Sequence, residues 1–105
     1  MAQQPPNARA IVVDRDEDRF VVEQNGSIAE LIYEVGGDRL FLVHTGVPDA
    51  LRGTGIGGVL VEAAVEWAAE VGLTVVPWCP FARKWLKEHP DVAAAVAIDW
   101  EEPSR

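Results

Sequence analysis

The sequence predicts an α+β fold: a mixed, mostly antiparallel sheet with flanking helices. Three observations carry this. Two turn signals, Asn25-Gly26 and Gly36-Gly37-Asp38, bracket apolar runs of strand length. After the glycine-rich stretch Arg52–Gly58 ("RGTGIGG") the apolar period changes from two to 3.6. A short β-branched run then follows the helix, and strand, helix, strand implies a right-handed crossover with parallel pairing.

The elements follow in order. Residues 1–7 are polar and proline-bearing and read as a loose arm. Ile11–Val13 ("IVV") pairs weakly ahead of a charged turn, "DRDED". "RFVVEQ" (Arg19–Gln24), "SIAELIYEV" (Ser27–Val35) and "RLFLVHTGV" (Arg39–Val47) form a three-stranded antiparallel meander. Over 56–71, Ile56, Val59, Leu60, Ala63, Ala64, Trp67 and Val71 share one helical face. Glu62, Glu66 and Glu70 line another, a solvated stripe, and Gly72 stands where a helix stop belongs. "LTVVPW" (Leu73–Trp78) is the next strand, and Phe81–Glu88 a short helix closed by His89-Pro90. The tail "VAAAVAIDW" fits either a strand or a helical turn.

Bulk properties limit what such a fold does. The chain has 105 residues, read as one domain, with 49% hydrophobic and 25% charged residues. Its single cysteine makes no internal disulfide, and no apolar stretch approaches a membrane span. These features lead us to expect a soluble cytoplasmic protein without signal peptide or anchor. A net charge of −8 argues against nucleic acid and anionic membranes as partners. An anionic ligand therefore requires a local concentration of positive potential.

Arg52–Gly58 provides one. A helix N-terminus offers unpaired N–H groups and about half a positive charge, and glycine lets an anion approach the backbone closely. The first acid of the helix, Glu62, lies beyond its first turn, and Arg52 adds a full charge at the loop entrance. Two nucleotide readings fail. Gly57-Gly58-Val59 stands where a Walker loop needs Gly-Lys-Ser/Thr. A dinucleotide loop belongs to the first strand of a doubly wound sheet, with an acid after the next strand; here three strands precede it and Trp78-Cys79 follows.

Arg52-x-x-Gly55-x-Gly57, after a strand and opening a helix, resembles the acetyl-coenzyme A loop of the GNAT acetyltransferases. The longer series "HT…VP..LRG.GIG…VP.CPF…HP" is similar to the small GNAT-like acetyltransferases, over roughly residues 19–91. The resemblance implies a sheet whose fourth and fifth strands splay apart, with pantetheine between them. It assigns backbone of Thr45 to Val47 to pantetheine, an N–H near Val47 to the oxyanion, and Gly53, Thr54, Gly55, Ile56, Gly57 and Gly58 to the pyrophosphate. Pro77, which cannot donate to a ladder, suits the end of a separating strand.

Catalytic candidates follow from the same resemblance. Cys79 either accepts an acetyl group, or protonates the leaving thiolate, or is a small buried apolar residue. His44 either relays the amine's proton through water or is structural, since strand alternation puts it with Leu40 and Leu42. Arg83 and Lys84, with Lys87, either meet the coenzyme's 3′-phosphate or form a solvated face. His44-Thr45-Gly46-Val47 departs from relatives reading His-Thr-Glu-Val, and Trp85-Leu86 stands where many carry a tyrosine. The implied function is acetyl-coenzyme A-dependent N-acetyl transfer to a protein, peptide or small-molecule amine. The alternative is an acyl-coenzyme A sensor or docking domain without turnover. No metal site is assigned.

Overall fold

The computed structural model describes residues 13–103. Five strands form one sheet in sequence order: β1 (Asp14–Asp16), β2 (Arg19–Gln24), β3 (Ser27–Gly36), β4 (Arg39–Gly46) and β5 (Thr74–Pro77). The first four are antiparallel and β5 pairs parallel with β4. The helices are α1 (Ile56–Val71), α2 (Pro80–Glu88) and α3 (Pro90–Ala93), with a 3-10 turn at Asp49–Leu51. Among the described residues, no helix is long and apolar enough to cross a membrane.

The mixed sheet, its parallel pair and the flanking helices are as the sequence predicts; strand boundaries move by a residue or two. One correction concerns the first strand. Asp14–Asp16, read as part of a charged turn, pairs with Arg19–Val21, and the turn tightens onto Glu17-Asp18 with Glu17 at φ 56°. Ile11 and Val12 of the expected "IVV" pairing, and the arm at 1–7, lie outside the described residues. Asn25-Gly26 turns as expected, both residues at positive φ.

The core lies between the inner sheet face and α1. Phe20, Val22, Ala29, Leu31, Tyr33, Leu40 and Leu42 alternate inward and meet Leu60, Val61, Ala64, Val65 and Ala68. The buried stripe of α1 is wider than its sequence period suggests and turned away from Val71, which is 52% exposed. The cause is a second neighbour, since α2 packs on α1 beside the sheet. Glu62, Glu66 and Glu70 face solvent. Trp67 closes the core edge against Phe20 and Tyr33, at centroid distances of 6.1 and 5.6 Å, with the Arg15 guanidinium 4.4 Å above its ring.

The tail takes both of its options. Residues 90–93 make a helical turn, and the chain then extends so that Ile98 bridges Val75 in parallel. Val75 donates to the Ala97 carbonyl and accepts from the Asp99 N–H, and Arg39 pins the strap through Asp99 (3.1 Å) and Glu101 (3.2 Å).

Burial separates the costs of two truncations. Leu60→Ala, at a fully buried position, is expected to cost about 2–5 kcal/mol in urea unfolding. Val71→Ala on the same helix stays within about 0.5 kcal/mol. Equal losses would contradict this orientation of α1.

Candidate functional site

The site begins where the two last strands part company. The β4–β5 ladder runs from Arg39↔Thr74 to Leu42↔Pro77 and stops. Proline has no N–H to extend the ladder, and the chain turns off through Trp78 into α2, with the Cys79 N–H bonded to the Leu42 carbonyl at 2.8 Å. β4 continues to Gly46, paired from there on only with β3. Its far edge opens onto a cleft of about 490 Å³.

A β-bulge decides which side chains enter that cleft. Tyr33 pairs with Leu42 but Ile32 pairs with His44, so Val43 is an extra residue in β4. The extra residue reverses the alternation beyond it. His44 therefore leaves the face of Leu40 and Leu42, where strand alternation places it, and stands exposed beside Ile32. Thr45 takes the inward course opposite buried Leu31. Its Oγ1 lies 3.2 Å from Cys79 Sγ, and that thiol is buried at the start of α2. The sequence suggests each residue separately but not the pair.

The floor of the cleft is the loop into α1. Gly53 and Gly55 both have left-handed backbone, at φ 80° and 83°, and Gly55 is the N-cap with no side-chain hydrogen bond. The opening N–H groups of α1 have no intrahelical acceptor, and the first turn carries no acid. Arg52, its side chain 75% exposed, stands at the loop entrance with a 3.1 Å ion pair to Asp49. Thr45, Val47, Arg52, Gly53, Gly55, Ile56, Gly57 and Gly58 line the cleft, joined by Leu51, Phe81 and Trp85. Thr54 does not line it; its hydroxyl and its N–H both bond the Leu51 carbonyl and shape the turn.

Gly57 and Gly58 have a second reason to lack side chains. A Cβ on Gly57 would meet the Phe81 ring at 2.7 Å, and one on Gly58 the Trp85 indole at 2.3 Å. Phe81 and Trp85 are four apart on α2, so they share the face laid against the α1 N-terminus. The sequence offers Trp85 as a core or gap-lining residue, and that spacing was the signal available in it for Phe81, which it did not single out. Trp85 is itself braced by His89, whose ring stacks 3.8 Å away and whose Nδ1 lies 2.8 Å from the Trp85 carbonyl oxygen.

Arg83 and Lys84 stand apart from the cleft. The Arg83 guanidinium donates to the Trp100 and Pro77 carbonyls and is drawn toward the tail, and Lys84 lines a separate groove with Pro80 and Lys87. On the outer sheet face, Arg19 donates to Glu30 at 2.7 Å. That hydrogen bond raises the arginine's pKa above its ordinary value; the charges of Glu30 and Asp16 add to the shift and desolvation opposes it.

A strand that outruns its parallel neighbour, above a glycine loop opening a helix, is the arrangement of a GNAT-type fold. Residues 19–96 match the family described as GCN5-related N-acetyl-transferase, and the chain belongs to that family. Among its relatives, protein NATD1 of chicken is 41% identical over 80 residues, covering 73% of each chain. Human NATD1 shows the same identity across 73% of this chain and 71% of its own. NATD1 of Xenopus tropicalis is 38% identical and covers 82% of each. A solution structure of a GCN5-like N-acetyltransferase candidate from Staphylococcus aureus superposes with a TM-score of 0.66 at 29% identity, covering 86% of this chain and 92% of that one.

The packing role of Gly58 is separable from any ligand. Gly58→Ala is expected to cost about 1–3 kcal/mol in thermal or urea unfolding of the apo protein. The loss should shrink when Trp85 is first replaced by leucine, and simple additivity of the two changes would show that the indole is not the obstacle.

Proposed function

We propose that the chain is an acetyl-coenzyme A-dependent N-acetyltransferase acting on an amine. The observation that carries this is the continuity of two unpaired main-chain surfaces. The free edge of β4 from Val43 to Gly46 leads through Val47 to the bare amides at the start of α1. An extended pantetheine arm would add to the first as a strand adds to an edge, while the pyrophosphate rests on the second. The fit of the phosphate end follows from the left-handed Gly53 and Gly55, the acid-free first turn and the exposed Arg52 guanidinium. Arg83 and Lys84 are left out of this reading, because their side chains turn away from the cleft.

Bound there, the coenzyme supplies an acetyl thioester. The chain's part is to hold the carbonyl near the end of β4, where the Val47 N–H is the candidate donor to its oxygen as negative charge develops. Thr45 Oγ1, which lines the cleft, and Cys79 Sγ, buried 3.2 Å behind it, are the candidate donors to the departing sulfur. Phe81 and Trp85 line the cleft from the α2 side and would wall the pantetheine arm there. A second reading, an acyl-coenzyme A sensor without turnover, is favoured by Gly46, which offers no side chain at the end of β4.

Calorimetry with acetyl-coenzyme A tests the binding half and thiol release over an amine panel the catalytic half. At a hundredfold excess over Kd, binding should raise stability by about 2.7 kcal/mol. No heat at millimolar coenzyme would end both readings, and binding without thiol release would leave the sensor. Gly55→Val is expected to abolish binding, since a β-branched residue at positive φ must rearrange the loop. Arg52→Ala should weaken binding more at low salt than at high salt, the mark of an exposed charge; a loss independent of salt would rule that role out. Cys79→Ala separates chemistry from packing: turnover falling with unchanged acetyl-coenzyme A affinity assigns the thiol to the reaction, and unchanged turnover with a lower Tm assigns it to the core.

A further inference from the structure

The bulge that sends Thr45 into the cleft sends His44 to the opposite face of the sheet, and a carboxylate waits there. Glu30 is the β3 partner of Gly46. The point where a Cβ of residue 46 would stand is 3.6 Å from His44 Nε2, 3.7 Å from Glu30 Cγ and 3.9 Å from Glu30 Oε2. Glu30 thus lies alongside the glycine, bordering the space a side chain there would take, and His44 borders the same point from along β4. One carboxylate oxygen, Oε1, accepts from Arg19 at 2.7 Å, which fixes the side chain. The other, Oε2, has no hydrogen-bond partner among the described residues.

Charge at this spot favours a cation. Arg19 is shared between Glu30 and Asp16, the latter at 3.7 Å, so two carboxylates face one guanidinium and one negative charge is left over. The Glu30 side chain is only 30% exposed, which keeps that charge less screened than at an open surface. Location adds the second argument. Gly46 is the last residue of β4 and is flanked by Thr45 and Val47, both lining the cleft. Gly46 itself places no side chain beside Glu30 and His44 at that point.

Resting on the acetyltransferase reading, we propose that Glu30, with His44 beside it, is the acceptor-binding site and selects a primary alkylammonium: a lysine side chain or a small polyamine rather than a neutral amine. Glu30 Oε2 receives the ammonium and His44 Nε2 lies in reach of the same nitrogen. Before attack the ammonium gives one proton to the His44 imidazole. The neutral nitrogen then forms its bond to the thioester carbonyl carbon, the carbon–sulfur bond breaks, and the amide nitrogen releases its second proton. The thiolate is protonated to free coenzyme A, so the first proton is returned to solvent as His44 resets.

The probe is 1,5-diaminopentane, followed by NMR at the two histidine rings with and without acetyl-coenzyme A. His44 should shift saturably while His89, on α2's far end, does not. Glu30→Gln should weaken the diamine by about tenfold, the size of one partly exposed charge-assisted contact. Adding Gly46→Glu to Glu30→Gln should restore it, because the relocated carboxylate starts from the same point in space at ordinary contact distances. In turnover, Glu30→Gln should raise the KM for the diamine about tenfold with kcat within about twofold, and leave the KM for aniline, uncharged at neutral pH, unchanged. Diamine binding that ignores Glu30→Gln, or a His44 ring that never shifts, overturns the site. An absence of heat with acetyl-coenzyme A overturns the transferase reading instead, and the ring titration decides the amine site on its own.

Discussion

The structure turns on one termination: hydrogen bonding between β4 and β5 stops at Leu42 and Pro77, while β4 runs on for four more residues. Proline's missing N–H makes the stop cheap, and the turn through Trp78 into α2 makes it permanent. Because β5 leaves, the end of β4 has an unpaired edge. Because α2 starts there, Cys79 is brought to Thr45, and Phe81 and Trp85 are laid across Gly57 and Gly58. A continuous ladder to Gly46 would fill the cleft with backbone and leave no space beside the glycine loop.

The bulge at Val43 adds a second level of control. Without it, Thr45 would point outward and His44 into the core, and both faces of the strand end would lose their chemistry. One inserted residue thus sorts two polar side chains to opposite sides of a single strand, one beside a buried thiol and one beside a carboxylate. The absence of a side chain at Gly46 keeps those two sides close to each other.

Much of this was legible in the sequence, for reasons that are local. Asn25-Gly26 and Gly36-Gly37 fix two turns by backbone preference, and the period change after Gly58 fixes a helix. Arg52-x-x-Gly55-x-Gly57 carries its own physics of glycine and helix amides. What could not be read were consequences of pairing between distant segments. Simple alternation assigns His44 to the core, since no local signal marks Val43 as an extra residue; only its register against Ile32 and Tyr33 does. Arg83 and Lys84 look like a phosphate cluster until the Trp100 carbonyl is seen to hold Arg83. Gly57 and Gly58 read as ligand-facing alone, because Phe81 and Trp85 lie more than twenty residues away in the chain.

The strap at residues 97–99 has one more effect. Any open sheet has two margins, each with main-chain groups that invite another molecule to extend it. At one margin here, Asp14-Arg15-Asp16 is three residues long and charged throughout, a poor template for neighbours. At the other, Val75 already has its N–H and its carbonyl engaged by the chain's own closing segment, anchored by Arg39. The two margins are guarded against fibrous stacking by different means, charge on one side and self-coverage on the other, while among the described residues the edge of β4 beyond Leu42 keeps no parallel partner.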